Sequence, residues 1–153
     1  MRLIVAVVGK PKHEPLAAAI RDYEERARRY WPLHVVEVKD EPARAASTDL
    51  VRKREGERLS HAIGSSRLIA CESGGRRLTS PEFAAWVQQM REAATDVAFV
   101  IGGAHGLADD LSDRATARVS FSSWTFPHEL ARLVLAEQLY RAGAIVRGEP
   151  YHK

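Results

Sequence analysis

The chain has 153 residues, 45% of them hydrophobic and 28% charged, with a formal net charge of +3. That is the length of one domain and the composition of a globular one, which excludes a disordered chain; the single cysteine, Cys71, excludes a disulfide framework or a cysteine-rich zinc site. The apolar runs fall far short of the ~20 residues that cross a bilayer, so the expectation is one domain over residues 1–153, without metal or membrane partner, working in the cytoplasm.

In chain order, Leu3 to Val8 is a continuous apolar run ending at Gly9, the pattern of a strand buried on both faces. Leu16, Ala19, Ile20, Tyr23 and Ala27 are spaced for one face of a helix over 16–29, which Pro32 ends. Residues 33–38 read as a second strand, and Ser47, Thr48 or Asp49 can cap a charged helix running to about residue 62. A third strand is predicted over 67–72, closed by a turn at Ser73-Gly74-Gly75. Ser80 followed by Pro81 and Glu82 is a helix start, with the helix reaching about Ala93. A fourth strand over 96–101 enters Gly102-Gly103-Ala104-His105-Gly106, and a short helix near 109–117 precedes a fifth strand over 119–122. A helix over 128–146 and a polar tail, 147–153, complete the chain. Alternating strands and helices, with strands apolar throughout, predict an α/β fold: a mostly parallel sheet covered by helices on both faces.

Open parallel sheets bind ligands beyond the C-terminal ends of their strands. Three loops stand out there: 72–75, 102–107 and 122–128. The first two carry paired glycines, which either admit a ligand to the backbone or simply make tight turns. Neither matches a dinucleotide or P-loop signature. The last helix is apolar around most of its circumference, from Leu130 to Ala142, so it is buried on two sides, either between two subunits or inside one. A charge of +3 permits an anionic partner without requiring one. Arg26, Arg28, Arg29 and the 52–54 run are candidate phosphate contacts or solvated helix faces. A nucleotide-binding Rossmann-like or flavodoxin-like protein and a non-enzymatic ribosome-binding module are the competing functional readings.

Phe99-Val100-Ile101-Gly102-Gly103 with Gly106-Leu107, Ser120-Phe121-Ser122, Thr125-Phe126-Pro127-His128, Arg132, Glu137-Gln138, Tyr140-Arg141-Ala142 and Pro150-Tyr151-His152-Lys153 together resemble the RlmH family. The resemblance extends to Val7-Val8-Gly9-Lys10, the segment from Lys53 to Glu57 with its central Gly56, and Glu72, and so spans the chain.

It implies a homodimeric SPOUT α/β knot with a C-terminal trefoil knot, an exception to unthreaded topology. The implied activity is transfer of a methyl group from S-adenosylmethionine to N3 of a pseudouridine in 23S rRNA of the assembled ribosome. Carried over by motif, the cofactor is held at Cys71, where the family commonly has Leu, at Gly102 and Gly103, and at Phe121, Ser122, Ser123, Trp124, Thr125 and Phe126. His152 is the candidate for receiving the N3 proton, Tyr151 for stacking on or orienting the nucleotide, and Arg141 for stabilising negative charge on the base. Arg141 equally suits an ion pair with Glu137 at i, i+4. His128 is either catalytic or a residue that packs or caps at its helix start, and His105 is given no role. The modest charge adds the expectation that free RNA is a poor substrate.

Overall fold

A computed structural model describes residues 1–42, 44 and 47–152, with the backbone alone for His152. Lys153 lies outside the described residues. Five strands, β1 (Leu3–Val8), β2 (Leu33–Val38), β3 (Arg67–Arg77), β4 (Val97–Ile101) and β5 (Ala117–Ser120), form one sheet in the order β2-β1-β4-β3-β5. Every pairing is parallel. The helices are α1 (Glu14–Arg28), α2 (Thr48–Ile63), α3 (Ser80–Glu92), α4 (Asp109–Asp113) and α5 (His128–Val146), followed by a 3₁₀ turn over Pro150–His152.

Alternation along the strands builds a core on each face of the sheet. Leu3, Val5 and Val7 of β1 face a cluster with Ala27 of α1, Phe83 and Val87 of α3, and Leu135 and Leu139 of α5. Ile4, Ala6 and Val8 face a second cluster with Leu59 and Ile63 of α2 and Leu111 of α4. Both faces of β1 and β4 are therefore dry, which is why those strands read as unbroken apolar runs.

Three local expectations are corrected. The start of α3 is one residue earlier than Ser80 as cap suggests: Thr79 is the N-cap, and its hydroxyl and the Glu82 carboxylate serve each other's backbone N–H groups as a capping box. The fifth strand occupies 117–120 and not 119–122. Its continuation is diverted because Ser120 Oγ donates to the Ser122 carbonyl (2.8 Å) and the Trp124 N–H donates to Ser122 Oγ (2.9 Å), a turn stabilised by its own hydroxyls. The third strand does not close at Ser73-Gly74-Gly75. It pauses there and resumes, so that both Cys71 and Arg76 register on Val119. The return is possible because Gly75 lacks a side chain: a Cβ there would lie 2.5 Å from the Val119 carbonyl carbon.

Helix α5 lies between α1 and α3 on one face. Its inner side is buried at Arg132, Leu135, Ala136, Leu139 and 142–144, while Leu130, Leu133 and Val134 are only half-buried. One polar group crosses this core. The Arg132 guanidinium donates to Glu24 of α1 through Nε and to Glu37 of β2 through Nη1, both at 2.7 Å. Burial alone would depress its pKa, but the two carboxylates reverse this and raise it. At the far end of α5, Gly148 in a left-handed conformation turns the chain, and Glu149 N–H donates to the Ala144 carbonyl (2.8 Å).

Removing one member of a buried ion pair leaves an uncompensated charge, which costs about 3–5 kcal/mol. Arg132→Met is therefore expected to lower the unfolding free energy by about that amount in urea titration, and Glu24→Gln in the same chain to restore part of it. A loss too small to resolve would contradict the role given to this triad.

Candidate functional site

A cavity of about 460 Å³ opens at the C-terminal ends of β3, β4 and β5. That is the edge at which a parallel sheet binds ligands, and the size of an ordinary small-molecule site. Three chain segments wall it: Cys71 to Ser73 as β3 pauses, the glycine loop leaving β4, and the loop from Ser120 to His128 that leads into α5.

Close backbone approach makes the floor. A Cβ at Gly102 would lie 2.4 Å from the Gly106 carbonyl carbon, so the loop closes on itself only with glycine at that position. Gly103 and Gly106 are bridged, and the Gly106 N–H donates to the Gly103 carbonyl (3.0 Å). A Cβ at Gly103 would lie 2.7 Å from Oε2 of Glu55, a buried carboxylate of α2 behind the loop. The glycines thus keep side chains out of the floor and leave backbone groups facing the cavity.

The rest of the wall is largely apolar. Cys71 sits where β3 pauses, and burial of its sulfur pushes the thiol pKa up, so it stays protonated and behaves as a small apolar residue. Among the described residues, Glu72 is the one carboxylate on the wall. It accepts from Ser112 Oγ at 2.9 Å to each oxygen, and Arg118 Nε stands 3.5 Å away. Phe121 and Phe126 are half-buried, while Trp124 at the rim is 78% exposed.

Of the nine residues singled out for cofactor contact, the structure brings Cys71, Gly102, Gly103, Phe121, Ser122, Trp124, Thr125 and Phe126 to this wall. Ser123 is exposed in the same loop and does not line the cavity. His128, the first residue of α5, is on the wall, whereas His105 is exposed and off it. Sequence reasoning missed Ile101, Ser120 and Ala131. Ile101 and Ser120 end their strands, and that position was the available signal.

Of the three catalytic candidates, Arg141 and Tyr151 do not line the cavity of their own chain. Arg141 lies 13 residues beyond His128 on α5, ~20 Å along the axis. Its Nε and Nη2 donate to Glu137 Oε1 at 2.9 and 2.6 Å, so the i, i+4 ion pair is formed. Tyr151 folds back onto the same helix. Its ring lies 4.4 Å from that of Tyr140 and under the Arg141 guanidinium at 4.9 Å, and its hydroxyl donates to Glu137 Oε1 (3.2 Å). Desolvation raises the Tyr151 pKa, with Tyr23 and Glu137 adding to the effect, so the phenol stays neutral. The side chain of His152 lies outside the described residues.

Among the described residues no group of three or more His, Cys, Asp or Glu side chains could hold a metal, and no helix is long and apolar enough to cross a membrane.

Residues 1–152 match the family model described as a predicted SPOUT methyltransferase. A protein of Gemmatimonas aurantiaca named ribosomal RNA large subunit methyltransferase H is 56% identical over the full length of both chains. Proteins of the same name from Sorangium cellulosum and Geobacter sulfurreducens are 46% and 44% identical, each over 99% of both chains. With the sheet, the three-loop cavity and the full-length match in hand, this chain belongs to the SPOUT methyltransferase family.

Proposed function

We propose that this chain transfers a methyl group from S-adenosylmethionine to N3 of a pseudouridine in the 23S rRNA of the assembled ribosome, acting as a homodimer with a C-terminal trefoil knot. The observation that carries the reading is the 56% identity, over the whole chain, to a relative named ribosomal RNA large subunit methyltransferase H. The cavity fits the cofactor: it is apolar at Phe121 and Phe126, bare at Gly102 and Gly103, and within the usual range of small-molecule site volumes.

S-adenosylmethionine, when bound, supplies an electrophilic methyl group and its own leaving group. The chain's residues are left to bind, orient and manage one proton. Backbone groups at 102–103 and along 121–126, together with Cys71, would hold the cofactor's adenine and ribose. N3 of the base carries a proton that must leave. The partner's His152 receives it, imidazole being the side chain suited to taking up a proton near neutral pH. The partner's Tyr151 orients the nucleotide as a neutral phenol, and the partner's Arg141 favours the anionic base.

Support for a second copy comes from the distance of Arg141 and Tyr151 from the cavity of their own chain, and from the half-buried Leu130 and Leu133 on the outward side of α5. A twofold pairing that covers that side turns the tail end of one helix toward the cavity end of the other.

Three experiments test this reading. Ribosomes from a strain lacking the protein should acquire tritiated methyl groups when incubated with the enzyme and labelled cofactor, and free 23S rRNA should acquire far fewer. Deleting residues 150–153 should abolish incorporation while calorimetry still detects cofactor binding; labelling at the wild-type rate without the tail would reject the roles of Tyr151 and His152. Gly102→Ala forces the loop apart at backbone atoms and should weaken cofactor binding at least about tenfold, or ~1.4 kcal/mol. Gly74→Ala, with nothing within 4 Å of the added Cβ, should leave it unchanged. Equal cofactor affinity in the two variants would contradict the role given to the glycine floor.

A further inference from the structure

The basic side chains that the sequence offers as phosphate contacts are mostly neutralised within the fold. Arg26 pairs with Asp22 (2.8 Å), Arg28 with Glu25 (3.1 Å), Arg52 with Asp49 (2.8 Å) and Asp109 (3.3 Å), and Arg54 with Glu41 (2.7 Å). A second group of arginines differs. Arg29, Arg91 and Arg147 are exposed, and among the described residues none forms an ion pair with a carboxylate.

These three converge on the C-terminal end of α1. Arg147 Nη2 donates to the Arg29 carbonyl (3.4 Å) while its guanidinium lies over the Tyr30 ring at 4.8 Å. Arg91 Nη1 donates to the next carbonyl, that of Tyr30 (3.2 Å), and lies over the next ring, Trp31, at 5.6 Å. Two guanidiniums are thus held by consecutive carbonyls against consecutive, largely buried aromatic rings, and the first of those carbonyls belongs to the exposed Arg29. The neighbouring acids are engaged elsewhere. Glu92 accepts from Gln88 Nε2 (2.9 Å), and Glu149 accepts from the Tyr30 hydroxyl. That bond, with desolvation, pushes the Tyr30 pKa up to about 12, so the phenol remains a donor to Glu149 throughout the working range.

We infer that Arg29, Arg91 and Arg147 form a docking site for the sugar–phosphate backbone of the RNA substrate, at the root of the tail that carries Tyr151 and His152. The inference rests on the proposed function. The chemistry selects a phosphate over a carboxylate-bearing protein surface as follows. Stacked guanidiniums are already ordered, so little side-chain entropy is lost when their free edges bind a bidentate oxyanion. A row of such cations matches the repeating charge of a nucleic-acid strand. Engagement beside Arg147 would also fix the point from which the chain turns at Gly148, which places this cluster in a positioning role for the tail.

The test measures methyl incorporation into assembled ribosomes over a range of KCl concentrations. For the chain carrying Arg29→Gln, Arg91→Gln and Arg147→Gln, KM for ribosomes should rise at least about tenfold at low salt, and the slope of log KM against log salt should fall by about two to three. Cofactor affinity by calorimetry should be unaltered. Arg29→Gln alone keeps both stacked guanidiniums and should lower the slope by about one, which keeps the test decisive if the triple variant folds poorly. A control chain with Arg21→Gln, Arg28→Gln and Arg54→Gln loses the same formal charge from groups already paired, and should behave as wild type. An unchanged KM and slope in the Arg29, Arg91 and Arg147 variants, or an equal effect in the control, overturns the inference. A benzophenone amino acid at position 29 identifies the partner: a crosslink to ribosomes that ribonuclease digests supports RNA, and one that survives ribonuclease but yields to protease overturns it in favour of an acidic protein. Failure of the wild-type enzyme to label ribosomes at all would instead reject the proposed function.

Discussion

The structure depends on the close passage of backbone against backbone where β3, β4 and β5 end. Gly75 lies where a Cβ would meet Val119, and Gly102 where a Cβ would meet Gly106. Side chains at either position would push the three segments apart. With glycine they close into a cavity whose floor is main chain. Such a floor can read a nucleoside through N–H and C=O groups, which explains why the chain carries neither a phosphate-binding signature nor a charged ligand motif. A cofactor that brings its own electrophile and leaving group asks no more of that floor than position.

The second half of the chemistry follows from where α5 begins and ends. His128 is on the cavity wall, and the same helix carries Arg141, with Tyr151 docked beside it, between three and four turns away. Arg132 fixes the helix against α1 and β2 through Glu24 and Glu37, so it cannot slide to shorten that distance without breaking a buried triad. Within one chain the pieces stay apart, and a twofold copy is the economical way to join them. The proposed pairing would also account for a modest charge of +3 on an RNA-modifying enzyme, because two copies would present two sets of cations to one substrate.

Much of the architecture was legible in the residues, for identifiable reasons. Runs such as Leu3 to Val8 have only one stable use in a chain of this size, a strand dry on both faces, and they led to a parallel sheet with helices on each side. The three-loop cavity followed from knowing which ends of such strands bind ligands. What escaped were features decided by single contacts. Ser80 looked like the cap of α3, but Thr79 is one residue better placed to form the reciprocal bond with Glu82. The resumption of β3 after Gly75 depends on a neighbour, Val119, 44 positions away in the chain, which no local pattern encodes. The same holds for the root of the tail: Arg29, Arg91 and Arg147 are scattered in sequence and meet only because Tyr30 and Trp31 sit beneath them. Arg26, Arg28 and Arg52 drew attention by density, yet each is paired with an acid on its own helix.

The central claim is that each working site combines the cavity of one chain with the tail of another. The most direct measurement is complementation between two inactive chains, co-expressed so that mixed dimers form. One carries Gly102→Val, which blocks its cavity, and the other lacks residues 150–153. In a mixed dimer the intact cavity faces the intact tail, so methyl incorporation into ribosomes should reappear although neither parent alone supports it. Mixed dimers as inactive as both parents would contradict the account.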